Sequence, residues 1–134
     1  MTDYNSAPDD PRQAQTFPQL IRAAAAAYGD EIAIEFNSET MPDESATFRE
    51  LDERSAEPAK GLIASGAGKG TRVGFIYGNG PSFAVMLAGI ARIGAVAIPI
   101  STLIKSNELV RVLRQSDVSG VILQRNFLGY DYVE

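Results

Sequence analysis

The four residues Gly78-Asn79-Gly80-Pro81 form the motif of this chain that comes nearest to phosphate chemistry. They stand between a short apolar run at residues 73–77 and a segment at residues 83–93 that is apolar at helical spacing. This order predicts a strand, a turn and a helix, so the first amides of the helix would point at an anion held in the turn. The turn, together with Ser82, is therefore one candidate site for an anionic ligand.

The same turn has a simpler structural interpretation. It matches only the first half of the dinucleotide-binding motif G-x-G-x-x-G, because Phe83 occupies the third glycine position, where close packing of helix and strand needs a small residue. Pro81 suits the first position of a helix, and Asn79 or Gly80 tolerates a positive φ. The residues alone leave both interpretations open.

A second glycine cluster, residues 65–71, places Lys69 among three glycines. A P-loop has four residues between its glycines and then Lys-Ser/Thr, and it runs from a strand to a helix. This cluster has neither that spacing nor that direction, since it runs from a predicted helix to a predicted strand. We interpret Gly66 as the glycine that ends the helix, and Lys69 as a solvated side chain.

Acidic residues are concentrated in residues 30–57, which hold ten acids and only two basic residues. Four of the acids fall on the outer face of one predicted helix: Glu50, Asp52, Glu53 and Glu57. Glu50 and Arg54 are spaced there as an ordinary i,i+4 ion pair, so a solvated face explains these acids better than a metal or acid–base site. The chain also has no histidine and no cysteine, which removes the commonest metal ligands, the commonest general base and a thiol nucleophile. The sequence therefore predicts no catalytic, no cofactor-binding and no metal-binding residue.

The glycine turn belongs to a predicted strand–helix–strand unit at residues 72–99. Its helix is apolar on nearly all sides and has Arg92 as its only charge, which predicts burial on more than one side. Ser106 is predicted to cap a second helix at residues 107–115, and residues 118–123 are predicted to form a further strand. The order β-α-β-α-β predicts the fold class α/β, with a mostly parallel sheet, right-handed crossovers and flanking helices.

The amino-terminal half supplies elements that cover this unit. Residues 1–15 are polar and acidic and predict a disordered tail, which leaves residues 16–134 as one α/β subdomain. An alanine-rich helix is predicted to start near Thr16 and to end at Gly29. The alternating residues 31–36 predict a strand, which the turn-rich stretch after it returns as a hairpin.

The next helix carries both a start signal and a conflict. Thr47 and Glu50 match a capping box that opens a helix to about Ser65. Pro58 lies inside this helix and removes the hydrogen bond to the Arg54 carbonyl, at a cost of about 3 kcal/mol or more in a regular helix. We expect a kink or an interruption there.

The charge pattern excludes some partners. The net charge is −5, and the basic residues from position 58 onward are scattered over predicted helices and loops, unlike the concentrated basic surface of a nucleic-acid-binding protein. No apolar run approaches the roughly 20 residues of a membrane span, and residues 1–15 are unlike a secretory signal. We expect a soluble, cytoplasmic chain with no nucleic-acid partner and no transmembrane segment.

Four segments, taken in order, resemble the start of the AMP-forming adenylating enzymes, the superfamily of acyl-CoA synthetases, peptide-synthetase adenylation domains and luciferases. The pattern is Thr-Tyr-x-Glu-Leu, then Lys-Gly-Asp-x-Val, then Asn-x-Pro, then Gly-Ala-Val-x-x-Pro-Leu. The matching segments here are residues 47–51, 69–73, 79–81 and 94–100. With the helices between them they extend the resemblance over about residues 16–125, and acyl-CoA synthetases look most similar. The chain departs from the pattern at Pro58, Thr71 and Ser82.

The resemblance implies the amino-terminal part of an acyl-CoA synthetase-like fold, truncated before the ATP-binding and carboxyl-terminal parts. The parent enzyme would convert a carboxylate and ATP to an acyl-adenylate and pyrophosphate, and would then form a thioester with CoA, using Mg²⁺. Its place would be in fatty acid metabolism.

The family's catalytic motifs do not occur in this chain: the Ser/Thr/Gly-rich loop ending Pro-Lys-Gly, the Tyr-Gly-x-Thr-Glu segment that binds magnesium, the ribose-binding Asp and the Lys of the mobile carboxyl-terminal domain. The resemblance therefore transfers no site residue. It implies a scaffold segment that is inactive alone and binds none of ATP, Mg²⁺ or CoA tightly. Its partner would be the remainder of its own chain, and without that remainder it would self-associate through exposed apolar surface.

Two other hypotheses remain at this point. One is a stand-alone doubly wound module that binds an anion or nucleotide at the turn from Gly78 to Pro81. The other is a non-enzymatic interaction domain.

Overall fold

The computed structural model describes residues 6–39, 41–127 and 130–131. The helices in these residues are α1 (Phe17–Tyr28), α2 (Phe48–Ala64), α3 (Pro81–Arg92) and α4 (Ser106–Ser116). The strands are β1 (Ile32–Phe36), β2 (Glu44–Thr47), β3 (Arg72–Ile76), β4 (Val96–Pro99), β5 (Gly120–Leu123), β6 (Asn126–Phe127) and β7 (Tyr130–Asp131).

The central sheet has three parallel strands in the order β4-β3-β5, with Val73 of β3 opposite Ala97 on one side and Gly120 on the other. The predicted α/β class and parallel sheet are confirmed. The β3–α3–β4 and β4–α4–β5 crossovers step across the sheet in opposite directions, so right-handed connections place α3 and α4 on opposite faces. Strands β1 and β2 form the predicted antiparallel hairpin, and β6 and β7 form a second one.

The local start and stop signals of the amino-terminal half are confirmed. The Thr16 side chain accepts a hydrogen bond from the Gln19 amide at the start of α1, and Gly29 ends that helix at φ +38°. At α2 the Thr47 hydroxyl accepts from the Glu50 amide at 3.1 Å, and the Glu50 carboxylate accepts from the Thr47 amide at 2.9 Å. These reciprocal bonds are a capping box.

The predicted tail has local structure where the structure describes it. Pro11–Gln13 form a 3-10 turn capped by the Asp10 side chain. The Ser6 carbonyl accepts a hydrogen bond from the Gln19 side chain at 2.9 Å, which ties this segment to α1. Residues 1–5 lie outside the described residues, so a disordered tail stays a prediction.

Pro58 does not interrupt α2, so of the kink or interruption that we expected, the interruption was wrong and the kink stays a prediction. The helix runs from Phe48 to Ala64 with Pro58 inside it. Leu51, Ser55, Ala59 and Leu62 form its buried side, and α2 packs mainly on α3. The lost backbone hydrogen bond is offset by this packing, because most helical stability in proteins comes from tertiary contacts.

The predicted burial of α3 on more than one side is confirmed. Pro81 occupies its first turn, as expected, and Ile90 is fully buried. Met86 and Ile90 join Leu62 of α2 and Val73 and Phe75 of β3 in one apolar cluster. The core therefore lies between the sheet and the α2–α3 pair.

The start of α4 differs from the prediction. Ser106 is the first helical residue rather than the cap, and Lys105 precedes it without a side-chain cap. The apolar side of α4 is only half-buried at Leu109, Val112 and Leu113. Among the described residues, no helix has both the length and the apolar content needed to cross a membrane.

Candidate functional site

The carboxyl ends of the central strands are where a parallel α/β sheet offers a ligand site. The connection after β3 leads to one face and the connection after β4 leads to the other, so a crevice is expected between these two strand ends. Gly78 and Asn79 follow β3, Ser101 follows β4, and Gln124 follows β5. The predicted anion-binding turn therefore lies at the expected edge of the sheet.

The turn has the backbone geometry that its sequence predicted. Gly80 precedes α3 with φ +138° and ψ −171°, a conformation that is essentially restricted to glycine. No side chain caps the first amides of α3. The Gly78 amide donates to the Gln124 side-chain oxygen at 3.4 Å.

The space at the turn is too small for a phosphate group. The β1–β2 hairpin covers it, and a β-carbon at Gly80 would lie 3.6 Å from Phe36. The remaining cavity is about 20 Å³ and is lined by Met41 and Glu44 among others. A single water needs about 10–15 Å³, and the Glu44 carboxylate repels an anion. The turn is formed as predicted, but its surroundings do not favour the anion-binding interpretation.

Phe83 explains why the third glycine of the dinucleotide motif is missing. Its ring packs on Phe75 of β3 at a centroid distance of 5.0 Å. The helix is thus held away from the strand by an aromatic pair, whereas the dinucleotide motif brings them close with a glycine. Tyr77, at the end of β3, is half-buried, and burial raises the pKa of its hydroxyl. A tyrosine hydroxyl is already neutral near pH 7, and the raised pKa disfavours its phenolate form further.

The second glycine cluster lies at the amino end of β3, away from the turn at Gly80, and its backbone amides bond within the loop and to the loop after α3. Gly66 has φ +90° just after α2, as predicted for a helix-ending glycine. The Gly68 amide donates to the Thr71 hydroxyl at 2.9 Å, and the Gly70 amide donates to the Gly94 carbonyl at 2.9 Å. Lys69 is exposed, as expected.

The acids of α2 are not all solvated, which corrects the prediction for Asp52. Its carboxylate pairs with Arg92 of α3, and both side chains are about three-quarters buried. Arg92 also donates to the Asp52 carbonyl and to the Ser55 hydroxyl, each at 3.1 Å. The predicted pair of Glu50 with Arg54 is not among the ion pairs of the described chain, because the Glu50 carboxylate serves the capping box.

The described residues give no sign of a metal centre. Nowhere in residues 6–39, 41–127 and 130–131 do three His, Cys, Asp or Glu side chains come together in a way that would hold a metal ion. Glu57 pairs with Lys60, and Asp30 pairs with Arg49. The ion pairs of Asp10, Asp30 and Glu57 lie on the surface, and that of Asp52 joins α2 to α3.

The sequence did not predict a further concave surface, which lies beside strand β5. A cleft of about 530 Å³ lies between the carboxyl half of α2, Met86 of α3 and strand β5, and we call it the β5 cleft. Gly61 and Gly120 line it from its two sides. Two features of the sequence could have indicated this cleft: Gly61 inside helix α2, and the absence of charge in strand β5.

The parallel sheet with helices on both faces is a doubly wound α/β unit. Its described residues do not form a complete active site at the carboxyl ends of the strands. The sequence profile of the AMP-binding enzyme family matches residues 21–131. The chain therefore belongs to the AMP-binding enzyme family, which confirms the resemblance.

Similar proteins are much longer than this chain. It is 30% identical over 119 residues to the putative acyl-CoA synthetase YngI of Bacillus subtilis, covering 87% of this chain but 21% of YngI. Its fold matches the fatty acid AMP ligase of Legionella pneumophila with a TM-score of 0.76 and 22% identity, over 84% of this chain and 20% of the ligase. It also matches the N-terminal subdomain of Klebsiella oxytoca NpsA with a TM-score of 0.72 and 21% identity, over 81% of this chain and 27% of the subdomain. The chain thus spans about a fifth of the length of the curated relative.

Proposed function

We propose that this chain is the amino-terminal part of a longer ATP-dependent acyl-CoA synthetase. The whole enzyme converts a small-molecule carboxylate and ATP to an acyl-adenylate and pyrophosphate, and then transfers the acyl group to CoA, with Mg²⁺ as the metal. One observation carries the proposal. The family profile matches residues 21–131, while the chain covers only 21% of the acyl-CoA synthetase YngI.

In this proposal the segment is scaffold. The turn at Gly80 leaves a cavity of about 20 Å³, and the described residues offer no cluster for a metal, so they do not fit the phosphates of ATP or Mg²⁺. We therefore assign no catalytic, cofactor-binding or metal-binding residue to this chain. ATP, Mg²⁺ and CoA bind elsewhere in the whole enzyme, and residues 16–134 contribute a wall of its amino-terminal subdomain.

The same proposal predicts the partner of this segment and its compartment. Its principal partner is the remainder of its own polypeptide, and without that partner it self-associates through apolar surface such as the exposed side chains of Leu103 and Val110. We place the enzyme in the cytoplasm. We also propose that its carboxylate substrates include fatty acids.

Pyrophosphate exchange tests the proposal. The longer polypeptide encoded by the gene is incubated with ATP, Mg²⁺, labelled pyrophosphate and a panel of carboxylates, and CoA thioester formation is followed separately. We expect carboxylate-dependent exchange and then thioester formation. The 134-residue chain is the matched control and is expected to remain at background.

Two results would overturn parts of the proposal. Exchange by the 134-residue chain alone would contradict its role as scaffold. Exchange by the longer polypeptide without thioester formation would contradict CoA as the acceptor, and no exchange with any carboxylate would contradict the activity itself.

A further inference from the structure

Asn79 is the asparagine of this chain that is followed by glycine, whereas the others precede Ser6, Ser38, Glu108 and Phe127. An asparagine side chain can close a ring with the main-chain nitrogen of the next residue, and a side chain on that next residue hinders the closure. Glycine has no side chain and the widest choice of backbone angles. The pair Asn79-Gly80 therefore offers the least steric hindrance to this reaction.

The fold leaves both reacting groups of this pair without a hydrogen-bond partner. Asn79 is exposed, and its side-chain amide bonds to nothing in the described part of the chain. The Gly80 carbonyl accepts from the Ala84 amide at 3.3 Å, but the Gly80 amide has no acceptor within residues 6–39, 41–127 and 130–131. The nitrogen that would attack is thus not held by a hydrogen bond.

At Asn37 and Asn107 the structure engages the corresponding nitrogen. The Ser38 amide donates to an Asp43 carboxylate oxygen at 3.1 Å. The Glu108 amide, in the first turn of α4, donates to the Asn107 side-chain oxygen at 3.0 Å. A nitrogen that donates in this way directs its hydrogen, and not its lone pair, at the acceptor. These contacts oppose ring closure at both positions, and Asn79 has no such contact.

We propose that Asn79 is a site of spontaneous deamidation and isomerisation in the folded chain. The Gly80 nitrogen gives its proton to solvent base and attacks Cγ of Asn79. The new carbon–nitrogen bond replaces the bond from Cγ to the side-chain nitrogen, which takes up a proton and leaves as ammonia. Water then opens the cyclic imide. Cleavage at Cγ gives aspartate, and cleavage at the main-chain carbonyl carbon gives isoaspartate. One water enters, one ammonia leaves, and nothing is oxidised or reduced.

Isoaspartate alters the turn between β3 and α3. It leads the main chain through the former side chain and so adds one carbon atom to the backbone before Gly80. Gly80 has φ +138°, and Pro81 begins α3 with a ring that fixes its own φ, so neither residue absorbs the added atom easily. Both products also place a new carboxylate at a position that lines the same small cavity as Glu44, where like charges repel.

Incubation of the 134-residue chain in water enriched in oxygen-18 tests the proposal. Peptide mass locates the label at each asparagine, and an isoaspartate-specific methyltransferase detects the isomerised product. The same incubation in urea gives the rate at each position without the fold. Asn37 is the control within the same molecule. Asn79→Gln is the matched variant, because its longer side chain would have to close a larger ring.

We expect the native chain to react at Asn79 at least about 10-fold faster than at Asn37, and within about 3-fold of the rate at Asn79 in urea. Folding should slow the reaction at Asn37, where the Ser38 amide is engaged. The rate at Asn79 should rise with pH, because the attacking nitrogen must lose its proton. Asn79→Gln should abolish both the label and the isoaspartate at this position.

Three results would overturn the proposal. A native rate at Asn79 that falls further below the rate in urea would show that the fold protects this pair. Equal rates at Asn37 with and without urea would show that the selectivity does not come from the fold. Labelled aspartate without isoaspartate would exclude the cyclic imide, because its opening yields both products.

The effect on the turn is measured separately. The isoaspartate form is purified from the incubated chain and compared with freshly prepared Asn79→Asp, which has the same charge without the added backbone atom. We expect the isoaspartate form to unfold at a lower urea concentration. Equal midpoints would contradict a disturbance of the turn.

Discussion

Pro58 of α2 lies so close to Gly89 of α3 that a β-carbon at position 89 would be 2.6 Å from Pro58 Cγ and 3.0 Å from the Ser55 carbonyl oxygen. The two helices thus meet through a proline ring that occupies the space above a glycine. Each of these residues is unfavourable in a helix when considered alone. Together they permit an approach that larger residues would prevent.

Gly89→Ala is expected to destabilise the chain by about 1–3 kcal/mol, because the added methyl group overpacks the contact with Pro58. The free energy of unfolding in urea measures this. The matched control is Gly61→Ala in α2, where no atom lies within 4 Å of the added carbon. This control is expected to stabilise the chain by about 0.5–1 kcal/mol through helix propensity. Equal effects of the two substitutions would contradict the close approach at position 89.

The pair of Asp52 and Arg92 is expected to contribute more to stability than an exposed pair. Arg92→Ala removes hydrogen bonds to a carboxylate, a carbonyl and a hydroxyl, and we expect a loss of about 1.5–3 kcal/mol. Lys60→Ala, which breaks an exposed pair with Glu57, is the control and is expected to cost about 0–1 kcal/mol. A double-mutant cycle with Asp52→Asn measures the coupling, and a coupling near zero would contradict an interhelical role.

The capping box at α2 is expected to contribute to the stability of the chain. Ser106 at the start of α4 is not expected to contribute. Thr47→Ala removes the hydroxyl that accepts from the Glu50 amide, and should cost about 0.5–2 kcal/mol in unfolding free energy. Ser106→Ala should change stability by less than about 0.5 kcal/mol, because Ser106 is not the capping residue. A large loss with Ser106→Ala would restore the sequence prediction of a serine cap.

Gly80→Ala tests the backbone of the candidate site. The φ of +138° is strained for any residue with a β-carbon, so we expect a loss of about 1–3 kcal/mol. Gly68→Ala, where a β-carbon meets nothing within 4 Å, is the control and should be nearly neutral. The two variants are compared by their thermal unfolding midpoints. A neutral Gly80→Ala would show that the turn adopts another conformation in solution.

Stability at alkaline pH is expected to depend on Tyr77. Burial raises the pKa of its hydroxyl above the ordinary value of 10.0. The folded state then holds the phenol proton more tightly than the unfolded state, so this contribution is complete below about pH 10 and is lost as the pH rises through the folded-state pKa. Urea unfolding across this range should show a decline that Tyr77→Phe reduces. An identical decline in the variant would contradict the prediction.

Much of the fold was predictable because its signals are local. The capping box at Thr47 depends on side chains three residues apart, and Pro81 acts within one turn of helix. The parallel sheet followed from the alternation of strands and helices, whereas the strand order β4-β3-β5 did not, because right-handed crossovers permit more than one order.

Long-range contacts explain what the sequence did not predict. Helical periodicity placed Asp52 on the outer face of α2, but Arg92, forty positions away, draws it into a pair with α3. Pro58 looked like a helix breaker because Gly89 could not be recognised as its neighbour. The candidate anion site depended in the same way on Phe36 of the β1–β2 hairpin, which covers the turn although it lies more than forty residues before it in the chain.

The order of strands also determines when each edge of the sheet can form during synthesis. Of the three strands of the central sheet, β3 leaves the ribosome first, and Val73 can pair with Ala97 of β4 before Gly120 of β5 has emerged. At roughly 5–20 residues per second, one edge of β3 waits on the order of seconds for its second neighbour. A nascent chain thus exposes an apolar strand edge during this interval, when unpaired strand edges favour aggregation.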